Sequence, residues 1–348
     1  MNSLAVVGAG AVGLAVAWRA DQAGWRVSVH DPEPARGASW VAGGMLAPLT
    51  EGWPGEEAAL ELGAESLRRW PEFAGELSAA AGADAGMLTT GTLVVGVDAA
   101  DVGELDVLAG WLAQRGRAVH PLTPRELRRR EPALGHRLRG GLDVPGDLAV
   151  DNRALLAALA RVCAPLIVRE RVDALDELHA DQVVLAAGVC SPRLLAGVPV
   201  RPVKGEILRL RVRPGALPPP GCTVRGVVHG RHVYLVPRAG GLVVGATQHE
   251  VGHDREVTVG GVRDLIADAE ALLPAVAEYG LSSVDAGLRP TTPDNVPLIG
   301  RVDERTVLAT GHGRNGLLLA PLTADAVLAE LAGSPLEQAA AALPGRFA

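Results

Sequence analysis

Leu4-Ala5-Val6-Val7-Gly8-Ala9-Gly10-Ala11-Val12-Gly13 opens the chain, and Trp25-Arg26-Val27-Ser28-Val29-His30-Asp31 follows one helix length later. The first four residues are an apolar run of strand type, and Leu14, Ala17 and Trp18 then recur at helical spacing. Strand, glycine turn, helix, strand and acid in that order form the fingerprint of a dinucleotide-binding βαβ unit. In such a unit Gly8 permits the tight turn, Gly10 lets the backbone approach a pyrophosphate, and Gly13 lets the helix pack close to its strand. The helix N-terminus offers free N–H groups and a partial positive charge to phosphates. Asp31 lies 23 residues after Gly8, where a carboxylate can accept from a ribose diol. Nicotinamide and flavin enzymes share this motif, so it leaves the cofactor open.

Beyond this unit, 348 residues suffice for about two domains with a substantial core. The 48% hydrophobic and 21% charged content is that of a globular chain. Net charge is −7, and the only basic run, Arg128-Arg129-Arg130, sits among acids in a helical segment and reads as a solvated face. Nucleic acid is therefore not an expected partner. No run reaches the ~18 apolar residues of a membrane span, so no membrane association is expected; with no basic n-region and its apolar run consumed by the glycine turn, the N-terminus is not expected to be a signal peptide. Three unclustered cysteines, Cys163, Cys190 and Cys222, suit a reducing compartment. The expected location is cytoplasmic.

Further along, 32–39 reads as a loop and 41–48 as small residues joined to a short apolar stretch. Helices are expected at 56–81, 102–114, 124–131, 152–162 (with Asp151 as N-cap), 262–273 and 317–332. Strands are expected at 92–95, 140–144, 166–168, 183–186, 282–288 and 307–309, with 183–186 returning to the nucleotide sheet. From residue 200 the texture changes to polar/apolar alternation at 206–212 and 232–236, with 241–245 at hairpin distance, which indicates an antiparallel sheet. The fold class is thus α/β, a Rossmann-like nucleotide-binding domain interleaved with a smaller α+β domain built on an antiparallel sheet. The expected division gives 1–85, 146–200 and 285–348 to the first and 86–145 and 201–284 to the second.

His249-Glu250-Val251-Gly252-His253 matches the zinc pattern H-E-x-x-H, which needs a helix to bring both histidines to one metal. Here it follows a strand and contains glycine, and β-branched residues come after it. A polar loop is expected instead, with no metal.

The chain resembles the D-amino-acid oxidase and sarcosine oxidase group of flavoenzymes, its glycine oxidases in particular. The resemblance is carried by the 8–13 turn with Asp31, Arg36-Gly37-Ala38-Ser39 leading to Ala42-Gly43-Gly44-Met45-Leu46, and Val203-Lys204-Gly205-Glu206. Further pieces are Tyr234-Leu235-Val236-Pro237-Arg238, Gly241 to Thr247, Ala286-Gly287-Leu288-Arg289-Pro290, Pro293 to Pro297, and Gly311-His312-Gly313-Arg314-Asn315-Gly316. They stand in family order over nearly the whole chain.

The resemblance implies noncovalent FAD and oxidation of glycine or a similar small amine by dioxygen, giving hydrogen peroxide and an imine that feeds the thiazole ring of thiamine. It also implies a homo-oligomer, a tetramer in the family. By position it implies a substrate site at Tyr234, Arg289, Arg314, Met45 and Ala47. The cofactor site it implies comprises Gly8, Ala9, Gly10, Ala11, Val12, Gly13, Asp31, Ser39, Gly43, Gly44, Met45, Val172, Ala187, Gly188, Gly287, Arg289, His312, Gly313, Arg314, Asn315 and Gly316. Asp31 departs from the glutamate common in such flavoproteins. Covalent attachment through a late cysteine is excluded, because no cysteine follows Cys222.

The residues themselves give a compatible reading. A planar guanidinium such as Arg289 can hold an amino-acid carboxylate with two parallel hydrogen bonds, and the Tyr234 hydroxyl can add another. With hydride passing from the substrate Cα to the flavin, no general base is assigned; His312 and His249 are expected to be structural. The alternatives are a D-amino-acid or sarcosine oxidase or dehydrogenase of the same fold and, from another class, a nicotinamide-dependent dehydrogenase.

Overall fold

Residues 2–347 are described in the computed structural model. The opening motif folds as its residues dictate: strand Ser3–Val7, helix Ala11–Gln22 and strand Arg26–His30. A Cβ on Gly8 would lie 2.4 Å from the Ala186 carbonyl oxygen, and Gly8 has φ +104°. A Cβ on Gly13 would lie 1.9 Å from the Gly8 oxygen. Only glycine lets turn, helix and neighbouring strand converge here.

Ser3–Val7 is central in a six-stranded sheet. One side carries Arg26–His30 and the short strand Ile167–Val168, and the other Gln182–Leu185, Thr306–Thr310 and Leu298–Arg301. All pairs are parallel except the last. The expected return of 183–186 to this sheet is met, with Val6 opposite Val184. Helices Ala11–Gln22, Glu57–Ala81, Asn152–Val162 and Ala320–Leu331 bury a core against it, in which Trp18, Trp70 and Phe73 make edge-to-face contacts. Asp151 caps its helix by accepting from the N–H groups of Arg153 and Ala154, as expected.

A second, eight-stranded sheet runs in the order Gly280–Thr291, Arg201–Arg211, Gly241–Gly245, Arg231–Arg238, Thr223–Val228, Thr92–Gly96, Gly140–Val144, His120–Leu122. It is antiparallel apart from the pairing of Thr223–Val228 with Thr92–Gly96. Helices Ala99–Ala113 and Val259–Leu272 pack on it. A three-stranded ribbon of Met45–Leu46, Leu148–Val150 and Met87–Leu88 is the third sheet. Among the described residues no helix is long and apolar enough to cross a membrane.

Several expectations need correcting. Strands Thr223–Val228 and Leu298–Arg301 were absent from the sequence reading. Residues Gly37–Val41, expected as loop and small-residue stretch, form a short helix. The last helix begins at Ala320 rather than 317, after a 3-10 turn at Gly313–Asn315. Alternation along 206–212 predicts Glu206 at the solvent face, yet Glu206 is fully buried and accepts from the Thr258 N–H at 2.8 Å. The 249–253 segment is not helical: His249 makes an isolated bridge with Lys204, and His253 is exposed.

Candidate active site

A cavity of about 690 Å³ runs from the glycine turn, past the Gly37–Val41 helix, to the sheet end that carries Tyr234 and Arg289. At its nucleotide end Gly8, Gly10, Ala11, Val12, Asp31, Ser39, Val172, Ala187 and Gly188 line the wall. Asp31 accepts from Ala9 N–H at 2.7 Å and Glu33 N–H at 2.8 Å, which fixes its carboxylate and leaves further lone pairs for ribose hydroxyls. At the helix start Ser39 Oγ accepts from Ala11 N–H at 3.1 Å. The N–H groups of Gly10, Val12 and Gly13 have no backbone acceptor among the described residues. Unpaired donors at the positive end of a 12-residue helix, opening on a cavity, are what a pyrophosphate requires.

Arg289 and Tyr234 converge at the other end. Arg289 lies near the end of Gly280–Thr291, opposite Val203 of the neighbouring strand. Its Nη1 donates to the carbonyls of Thr247 at 3.2 Å and Lys204 at 3.4 Å. The guanidinium lies over Gly205, where a Cβ would come within 2.4 Å of its nitrogens. Tyr234 fits between two more glycines, for a Cβ on Gly43 or Gly245 would meet its ring at 2.4 Å. The Tyr234 hydroxyl makes no hydrogen bond within the described residues, and burial pushes its pKa up to about 12, against the opposing pull of Arg289. It is therefore a protonated donor at neutral pH, beside a cation. The two groups suit a small carboxylate.

Other assigned residues divide by position. Met45, Gly43, Gly44, Gly287, His312, Gly313, Arg314 and Gly316 line the cavity. Ala9, Gly13, Ala47 and Asn315 do not: Ala9 and Ala47 are buried behind the wall, Gly13 packs under the turn, and Asn315 accepts from the Leu319 N–H. The Arg314 guanidinium is already engaged, donating to the Glu51 carbonyl at 2.7 Å and pairing with Glu56. His312 is buried with Nε2 2.9 Å from Thr323 Oγ1, and burial lowers its pKa to about 3. The imidazole is therefore neutral at pH 7 and packed against Thr323.

The sequence reading missed Glu51, which lines the cavity and pairs with Arg225 at 3.3 Å, and it missed Trp40, Arg171 and Arg255 on the wall; Arg36, also on the wall, lay in a quoted motif but was given no role. Trp40 is faced by the guanidiniums of Arg36 and Arg153, each 4.3 Å from its ring. Trp40 carried a sequence signal too, as a rare aromatic beside a glycine-rich stretch.

Residues 3–331 match the family described as FAD dependent oxidoreductase. The chain belongs to it. FAD-dependent oxidoreductases similar to this chain include the bifunctional protein ThiO/ThiG of Synechocystis sp., 34% identical over 346 residues. That alignment covers 93% of this chain and 50% of the relative, so the chain spans about half the length of the first curated relatives it matches. A putative thiamine biosynthesis oxidoreductase ThiO of Rhizobium etli is 34% identical over 336 residues, covering 94% of this chain and 95% of the relative. The crystal structure of glycine oxidase from Geobacillus kaustophilus superposes with a TM-score of 0.87 at 29% identity, over 97% of this chain and 96% of that one. Family membership decides for FAD over a nicotinamide cofactor, and the donors and carboxylate at the nucleotide end fit that group.

Proposed function

We propose that this chain is an amine oxidase acting on glycine: glycine, dioxygen and water give glyoxylate, ammonia and hydrogen peroxide. A noncovalently held FAD supplies the electron-accepting chemistry. Arg289 holds the substrate carboxylate and the Tyr234 hydroxyl donates to its other oxygen, so that Cα is presented in one orientation. The observation that carries the reading is an unpartnered, protonated tyrosine hydroxyl beside a fixed guanidinium, in the same cavity as the nucleotide crevice. Relatives named glycine oxidase and ThiO support it. The imine product is proposed to enter thiazole synthesis.

In this reading 1–85, 146–200 and 285–348 hold FAD, and 86–145 and 201–284 shape the substrate side. We place the protein in the cytoplasm as a homotetramer. Peroxide yields from glycine, sarcosine and D-alanine test the activity, with glycine expected to give the highest kcat/KM. A higher value with either of the others would reassign the substrate, and flavin reduction without peroxide would make it a dehydrogenase. Light scattering of the purified protein reads the oligomeric state.

A further inference from the structure

Behind the Gly37–Val41 helix and the two glycines after it lies a buried cationic cluster that the catalytic reading leaves unused. Arg238 is 9% exposed and donates through Nη2 to the Gly43 carbonyl at 2.7 Å and the Val150 carbonyl at 3.2 Å. Arg209 donates to the carbonyls of Trp40 and Ala42, each at 3.4 Å, and to Asn152 Oδ1 at 3.1 Å. Asn152, wholly buried, turns its amide nitrogen to the carbonyls of Ser39 and Trp40, both at 2.9 Å. The Gly44 carbonyl accepts from Val150 N–H at 2.7 Å. Every carbonyl from Ser39 to Gly44 except that of Val41 is thus drawn to one side.

A trans peptide unit holds its C=O and N–H antiparallel. Fixing the Ala42 and Gly43 oxygens toward the arginines therefore turns the N–H groups of Gly43 and Gly44 the other way. Both glycines line the cavity, and neither N–H has an acceptor among the described residues. Nor can a side chain replace either glycine. A Cβ on Gly44, whose φ is +89°, would sit 2.1 Å from the Val150 oxygen and 2.7 Å from Arg238 Nη2. The cluster is also electrostatically unbalanced. Arg153, Arg209 and Arg238 face Asp151 and Asp285, three cations against two anions. Burial and the neighbouring guanidiniums lower the Arg209 pKa to about 10, so it stays charged at neutral pH.

We propose that Arg238, supported by Arg209 and Asn152, is a positioning residue for the flavin: it sets the Gly43 and Gly44 N–H groups as a donor pair toward the isoalloxazine and, with its buried charge, raises the flavin's reduction potential. Donors and positive charge favour the electron-rich reduced ring over the oxidised one. This rests on the family's FAD, not on glycine being the substrate.

The test compares holoenzyme carrying Arg238→Met, Arg238→Lys or Arg209→Gln with the parent. Midpoint potentials are read against a reference dye during dithionite titration, and FAD dissociation constants are measured alongside. Arg238→Met is expected to shift the reduced-to-oxidised ratio at fixed potential at least tenfold toward oxidised, about 30 mV for a two-electron couple. Arg238→Lys, which keeps the charge, is expected to recover most of that shift, and Arg209→Gln to move it in the same direction. An unchanged potential in Arg238→Met, with only FAD affinity or melting temperature reduced, would overturn the proposal. If Arg238→Met does not fold, an unchanged potential in Arg209→Gln overturns it instead. Because dithionite supplies the electrons, the outcome stands even if glycine is not oxidised.

Discussion

Arg289 owes its place to what its neighbours lack. Its guanidinium occupies the volume above Gly205 and is held by two carbonyls, so it meets a ligand already oriented. Charge-assisted hydrogen bonds contribute about 1.5–3 kcal/mol each. Arg289→Ala is therefore expected to raise KM for glycine roughly 100-fold, with the FAD dissociation constant moving less than threefold; steady-state kinetics and flavin fluorescence check the two. Tyr234→Phe removes one donor and leaves the ring between its glycines, so a smaller loss, about tenfold in kcat/KM, is expected. His312 bears on stability. Its folded pKa of about 3 lies below the unfolded value of 6.5, so the unfolded chain takes up the proton first. Stability from this residue is complete above pH 6.5 and falls as pH drops toward 3, by on the order of 1.4 kcal/mol per pH unit in mid-window. Denaturant titrations at pH 7 and pH 4.5 are expected to show a smaller pH-dependent loss in His312→Gln than in the parent.

Strands explain why Arg289 and the glycines sit where they do. Arg289 pairs with Val203 and Gly287 with Gly205, so the arginine reaches diagonally across two residues on one sheet face. Gly205→Ala, far from Arg289 in sequence, is expected to raise KM for glycine at least tenfold while leaving the bound-flavin spectrum unchanged. Much at this scale was legible in the sequence. The strand-turn-helix-strand opening, the long 56–81 helix and the Asp151 cap all follow from local pattern, because hydrophobic period and capping chemistry are local properties. Other features were not. Strand Thr223–Val228 (Thr-Val-Arg-Gly-Val-Val) follows a proline-rich turn and has Gly226 in its middle; it is held between a hairpin partner, Arg231–Arg238, and a parallel partner more than a hundred residues away. Glu206 broke the alternation because the N–H of Thr258, at the start of a helix, supplies the donor that water would otherwise give. Ala47 belongs to the right segment but faces the interior, and Arg314 was matched by position while its partner Glu56 lay out of local view.

For the whole molecule, the cavity joins the end of the six-stranded sheet to the face of the eight-stranded one, so a ligand filling it ties both cores together. A ligand bound only by the folded state adds about 2.7 kcal/mol at 100 times its dissociation constant. The apoprotein is accordingly expected to melt several degrees higher with saturating FAD and to show no such rise with a nicotinamide dinucleotide, as differential scanning fluorimetry can record. The fold class and interleaving of the two halves were readable from the change of texture at residue 200. Strand Gly280–Thr291 runs unbroken across the proposed boundary at 285.

The order of strands in the first sheet has a temporal side. Ser3–Val7 is made well before its partner Gln182–Leu185, and Thr306–Thr310 with the following 312–317 wall comes later still. A nascent chain therefore carries the glycine turn through the synthesis of residues 14–305 without the far side of the crevice. Cofactor capture then waits for the 312–317 wall, and a truncation before Thr306 should leave a colourless product however intact the opening motif.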